Sequence, residues 1–140
     1  AGAVVLGSDI LKQFLINFAR PFIYSTAPTP EHVQHLLTAM QFVQQAEKER
    51  EKLTNNIHFF RSKTLSKAWG PSESAIQTFF VSGNEAVRAK AAEAQAAGFA
   101  VKPIVYPTVA KGKERIRITL TSQTKEVDMM ALIQTLESNA

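Results

Sequence analysis

Arg115-Ile116-Arg117-Ile118-Thr119-Leu120 alternates polar and apolar residues without interruption. Period two turns Ile116, Ile118 and Leu120 to one side and Arg115, Arg117 and Thr119 to the other, so the spacing predicts a strand with one buried face. Working back, Val109 to Glu114 reads as a loop containing Gly112, and Phe99 to Tyr106 as a strand. Pro103 lacks an N–H, which suits an edge or a bulge. Glu85 to Ala97 is alanine-rich and helical, with Gly98 as its C-cap. Ser82-Gly83-Asn84 is a turn and cap, and Ala75 to Val81 another strand. Downstream, Thr124 is expected to cap a last helix whose stripe is Val127, Met130, Ile133 and Leu136. The predicted order from Trp69-Gly70-Pro71 onward is β-α-β-β-α, a small α+β sandwich with both helices on one sheet face.

The first half is mainly helical. Ala3 to Leu6 reads as a short buried strand stopped by Gly7. Ser8 caps a helix to Ala19, with Ile10, Leu11, Phe14, Leu15 and Phe18 as its apolar stripe. Arg20 and Pro21 end that helix, and Phe22-Ile23-Tyr24 is expected as an extended link. Thr29-Pro30-Glu31 then supplies a hydroxyl cap followed by proline at the first helical position. No Gly or Pro lies between residues 31 and 69. One helix of that length would exceed the usual globular range, so two helices broken near Gln44 to Lys48 are expected. The mixed charges at 47–52 read as a solvated face.

Composition narrows the class of function. The 140 residues are 45% hydrophobic and 20% charged, enough apolar material for a core. A net charge of +4 is mild, and no polybasic tail, RNA-binding signature or basic–aromatic interleaving points to nucleic acid. No apolar run approaches the ~20 residues of a membrane span. The absence of cysteine excludes thiolate metal sites and thiol nucleophiles, and it fits a cytoplasmic protein. His32 and His35 share a helix side, but His58 stands apart and no carboxylate completes a metal motif, so no metal is expected. The start at Ala1-Gly2-Ala3-Val4-Val5-Leu6, without initiator methionine or signal peptide, reads as the middle of a longer chain.

Two features rise above this background. In Arg20-Pro21-Phe22-Ile23-Tyr24-Ser25-Thr26, an arginine and two hydroxyls precede a capped helix start, a setting that suits a phosphate. A plain turn with local hydroxyl bonds is the competing reading. The second is Pro107-Thr108-Val109 followed by Arg115 and Arg117. A guanidinium binds a carboxylate through two parallel hydrogen bonds, so one of these arginines can anchor an acidic ligand. Ordinary exposed arginines on a sheet face, or a stand-alone α+β module binding an acidic ligand or nucleic acid there, are the alternatives.

These segments, in this order, resemble the C-terminal portion of the α-oxoamine synthases, fold-type I pyridoxal-phosphate enzymes of the aminotransferase class I/II superfamily. The resemblance covers nearly the whole chain: Ala1-Gly2-Ala3-Val4, Ala19 to Thr26, Gly98 to Val101, Tyr106 to Val109, Gly112, and Arg115 to Leu120. It implies that residues 1–69 are the strand and helices ending the large cofactor-binding domain, together with the interdomain helices. Residues 70–140 would be the C-terminal small domain. It implies that Thr26, with Ser25, reaches the cofactor phosphate of the neighbouring subunit of a homodimer. Arg117 would bind the carboxylate of the amino-acid substrate, Thr108 would line the substrate side, and Arg115 would be structural. The partners would be an amino acid and an acyl-CoA or acyl-carrier thioester. The Schiff-base lysine is expected upstream of Ala1, so the chain by itself is expected to be inactive. Within the family, Arg115 to Ile118 leans towards the oxononanoate-forming branch (alanine and a pimeloyl thioester) or the glycine acetyltransferases. Tyr106 before Pro107 leans towards aminolevulinate synthases, and Val105 stands where the oxononanoate branch often has arginine.

Overall fold

The computed structural model describes residues 3–138 and places the alternating stretch at the centre of a three-stranded antiparallel sheet. Its strands are β1 (Ile76–Phe80), β2 (Lys102–Ile104) and β3 (Arg115–Thr119), in the order β1-β3-β2. The helices are α1 (Asp9–Phe18), α2 (Arg20–Ile23), α3 (Pro30–Gln45), α4 (Glu47–Lys63), α5 (Asn84–Ala96) and α6 (Glu126–Glu137). The chain divides into two compact units, Ala1–Glu47 and Lys48–Ala140.

The second unit holds the β-α-β-β-α order that the sequence predicts. Opposite residues of an antiparallel ladder share a face. Ile116 therefore lies beside Phe79 and Ile118 beside Gln77, all four buried. Against them pack Val87, Ala91 and Ala94 of α5 and Met129, Leu132, Ile133 and Leu136 of α6. The buried set of α6 is thus an i, i+3, i+4, i+7 stripe one step round from the expected one; Val127 is 69% exposed. Its start also moves. Lys125 is the N-cap, and Thr124 instead accepts the Thr121 N–H through Oγ1 at 2.9 Å. β2 is shorter than the sequence suggests because it pairs only with residues 115–117 of β3, and Pro103 sits on this edge strand.

The helix break falls where expected: α3 ends at Gln45, and Ala46 bonds back to Val43 with a tightened turn, N–H to O 3.3 Å. Phe60 of α4 lies in the core of the second unit, with Leu53 and Ile57 packed against that core. Asn56 Nδ2 donates to the carbonyls of Thr121 and Thr124, both at 2.9 Å. Phe60, Trp69 and Phe79 form successive edge-to-face contacts, with centroids 5.1 and 4.9 Å apart. The Trp69 indole N–H donates to Glu137 Oε1 at 2.7 Å, and so the single indole is both packed and satisfied. Residues 68–70 border β1 on its other side: Gly70 N–H meets Thr78 O at 2.9 Å and Phe80 N–H meets Ala68 O at 2.8 Å. A Cβ on Gly70 would come within 2.2 Å of Thr78 Oγ1, so this approach requires glycine.

In the first unit Ser8 accepts the Leu11 N–H and Thr29 the His32 N–H, as N-caps should. Two expectations fail here. Ala3 to Leu6 is not a strand; Val4, Val5 and Leu6 are 49%, 72% and 75% exposed, because no neighbouring strand among the described residues pairs with them. Ala1 and Gly2 of the same expectation lie outside the described residues. Phe22-Ile23-Tyr24 is not extended: Pro21, whose fixed φ suits a first turn, opens α2, and the N–H groups of Phe22 and Ile23 close on Ala19 O. None of the described side chains of α1, α2 or α3 is buried.

Candidate functional site

In the first unit the candidate residues sit on the link 24–29 between α2 and α3. Ser25 and Thr26 are exposed, and their hydroxyls make no hydrogen bond among the described residues. They are free to donate to an anion, the requirement for a phosphate contact. The amides that open α3 are already engaged. Glu31 is held below the usual carboxylate range, first by its own backbone N–H and then by the Thr29 hydroxyl. An arriving phosphate would therefore meet the Ser25 and Thr26 hydroxyls rather than the α3 terminus. Arg20 lies on the short α2 turn with no ion pair among the described residues.

The second unit separates two arginines that sequence spacing treats alike. Both point to the outer sheet face, away from Ile116 and Ile118. Arg115 is half-buried, its guanidinium 4.7 Å from the Phe80 ring centroid and its Nε donating to Lys113 O at 2.9 Å. It is spent on packing. Arg117 is exposed and lies in register between Thr78 on β1 and Lys102 on β2. No carboxylate pairs with it among the described residues, and its backbone is fixed by strands on both sides. A free guanidinium on the central strand, with a second cation opposite it, is suited to a carboxylate.

Thr108 lies on the exposed loop that follows Tyr106–Pro107, a cis peptide bond. Val109 N–H closes on Val105 O at 3.3 Å, and the Thr108 hydroxyl has no partner among the described residues. Thr108 and Arg117 share the second unit but do not bond to each other. Beside this loop is a groove of about 580 Å³ whose lining includes Asn84, Tyr106 and Glu114. Asn84 exchanges two hydrogen bonds with the Tyr106 backbone: Nδ2 to O at 3.2 Å, and N–H to Oδ1 at 2.9 Å. Glu114 is 2% exposed and accepts the Gly83 N–H at 3.1 Å. The N–H of Gly83 foremost, then those of Glu114 itself and of Gly112, with the nearby Lys111 charge, hold its carboxyl below the ordinary range against the opposing effect of burial. Sequence reasoning missed both residues. Asn84 reads as a turn residue, and a single acid among Lys111, Lys113 and Arg115 gives no sign of burial. Among the described residues no cluster of three or more His, Asp or Glu is arranged to hold a metal, and no helix is long and apolar enough to cross a membrane.

Comparison with known proteins adds the context. Residues 1–136 match the aminotransferase class I and II family. The 8-amino-7-oxononanoate synthase of Hydrogenovibrio crunogenus is 39% identical over 139 residues, 97% of this chain and 35% of that protein. The synthase of the same name from Photorhabdus laumondii is 36% identical over 138 residues, 97% of this chain and 36% of that protein. The chain thus spans about a third of the length of these relatives. In fold it is similar to the crystal structure of 8-amino-7-oxononanoate synthase from Francisella tularensis, with a TM-score of 0.75 at 21% identity over 94% of this chain and 39% of that one. A low-resolution structure of SPT gives a TM-score of 0.75 at 16% identity over 90% of this chain and 35% of the other.

Proposed function

The chain belongs to the aminotransferase class I and II family, and we propose from that premise that it is the C-terminal third of a pyridoxal-phosphate acyltransferase. Its reaction is read as that of an 8-amino-7-oxononanoate synthase, joining alanine to a pimeloyl thioester on the way to biotin, in the cytoplasm. The observation that carries this reading is Arg117: an unpaired guanidinium on the central strand of the sheet, in a chain whose relatives bear that synthase name.

Each candidate residue has a physical task in this reading. Arg117 takes the amino-acid carboxylate through two parallel hydrogen bonds and thereby fixes the orientation of the α-carbon. Thr108 offers a hydroxyl on the substrate side. Ser25 and Thr26 donate to the cofactor phosphate held by the other subunit of a homodimer, and their unengaged hydroxyls fit that group. The cofactor, when bound, supplies the electron sink that stabilises a carbanion at the α-carbon. In this reading the lysine that anchors it lies upstream of Ala1. Residues 1–69 then complete the large domain and the interdomain helices, and residues 70–140 form the small domain.

The test compares residues 1–140 with the full-length subunit after addition of pyridoxal phosphate. A cofactor absorbance band is expected in the full-length protein and not in the 140 residues. Its absence from the full-length protein would overturn the reading. In the full-length enzyme, Arg117→Ala removes a charge-assisted pair worth about 3 kcal/mol, so kcat/KM for the amino acid should fall roughly 100-fold. An unchanged kcat/KM would remove Arg117 from its role.

A further inference from the structure

The turn 82–84 makes two separate attachments to one stretch of chain. At one end, the Asn84 side-chain amide both donates to and accepts from the Tyr106 backbone. β2 has ended at Ile104, and this amide replaces the peptide that a neighbouring strand would have offered. At the other end, the Glu114 carboxylate accepts the Gly83 N–H while its backbone carbonyl accepts the Val81 N–H at 3.2 Å. Gly83 reaches this geometry at φ +97°, a conformation that disfavours any residue with a Cβ. The stretch is further closed by Val109 N–H to the preceding Val105 O at 3.3 Å and, between the attachments, by Lys113 N–H to Ala110 O at 2.9 Å. Thr108 lies inside the held stretch, and Arg117 follows directly on the strand that leaves it.

We propose that Asn84 and Glu114 are positioning residues, which hold segment 106–114 at both ends against the turn 82–84 and so fix where Thr108 meets the amino-acid substrate. The inference rests on the reading above that the substrate lies against Thr108 and Arg117. Neither residue touches the reacting atoms. A nine-residue stretch left free would have to be ordered anew each time substrate binds, and that ordering would weaken binding without slowing the bound complex. The two attachments remove the penalty beforehand. The ionised state of Glu114, favoured by the surrounding N–H groups, makes its attachment the charge-assisted one.

The experiment has two arms. In the 140-residue chain, amide exchange is followed at residues 105–110 with the amides of β1 and β3 as internal reference. Asn84→Ala is expected to lower protection of the Tyr106 amide about tenfold or more while β1 and β3 keep theirs. Asn84→Asp retains the acceptor for the Tyr106 N–H and should recover part of the protection. In the full-length enzyme, the same Asn84→Ala change should raise KM for the amino acid roughly tenfold with kcat within about twofold. Glu114→Gln, the milder change at the other end, should shift KM in the same direction with cofactor absorbance intact. Unchanged protection at Tyr106, or an unchanged KM in an active Asn84→Ala enzyme, overturns the proposal. Failure of the underlying functional reading looks different: the unsubstituted full-length protein would show no cofactor band, and the exchange arm would still decide whether the clamp exists.

Discussion

Residues 3–47 and 48–138 carry similar apolar patterns and meet opposite fates. In the second unit Phe60, Phe79, Ile116 and Leu136 are almost fully withdrawn from water. In the first, Ile10 is 83%, Phe14 57% and Val43 60% exposed, although α1 and α3 are both regularly striped. Periodicity therefore announces that a face is to be covered and says nothing of what covers it. The second unit closes on itself because its sheet, α5, α6 and α4 supply one another's partners. The first leaves its stripes exposed: no described side chain of α1, α2 or α3 is buried.

The contrast can be broken most sharply at the cores. Phe79→Ala should destabilise the second unit by about 3–5 kcal/mol, whereas Phe14→Ala should stay within about 0.5 kcal/mol. Urea denaturation of the 140-residue chain reads both, and equal effects would abolish the distinction. The next effect is on association. Exposed apolar stripes in the first unit should make the 140 residues self-associate in light scattering, and Ile10→Lys with Phe14→Lys should reduce it. A clean monomer before substitution would contradict the comparison.

Acid should act next, and through the second unit. Glu114 is held below its ordinary value, so its contribution is complete above the unfolded carboxylate value of about 4.3 and is lost as pH falls through the lowered folded value. Glu114→Gln should therefore lower the urea midpoint at neutral pH and flatten its decline in acid; an identical decline in both proteins would exclude Glu114 as the source. The smallest effect belongs to the first unit. Thr29→Ala removes the hydroxyl that accepts the His32 N–H and should cost about 1 kcal/mol of α3 stability, read as lost helical circular dichroism.

These residues also show what the sequence could tell. The alternation at 115–120, the helix break near Ala46 and the caps at Ser8 and Thr29 were legible because each is set by local chemistry. The supposed strand at 3–6 was not, since a strand exists only with a neighbour to pair with. The α6 stripe slipped because Val127 and Met129 are both apolar and only packing chooses between them. At the candidate site, spacing placed Arg115 and Arg117 on one face; the Phe80 ring and the Lys113 carbonyl then claimed Arg115 and left Arg117 free. Asn84 and Glu114 were invisible because their value lies in backbone groups 22 and 31 residues away.

Trp69 is the chain's only tryptophan, wedged against Phe60 and Phe79 with its N–H on Glu137. Excitation at the red edge of indole absorption therefore sees the second unit alone. Unfolding of residues 48–138 should move the emission towards longer wavelength as water reaches the ring. Melting or assembly confined to the first unit should leave the colour of that light unchanged, so one native fluorophore can time the two halves separately.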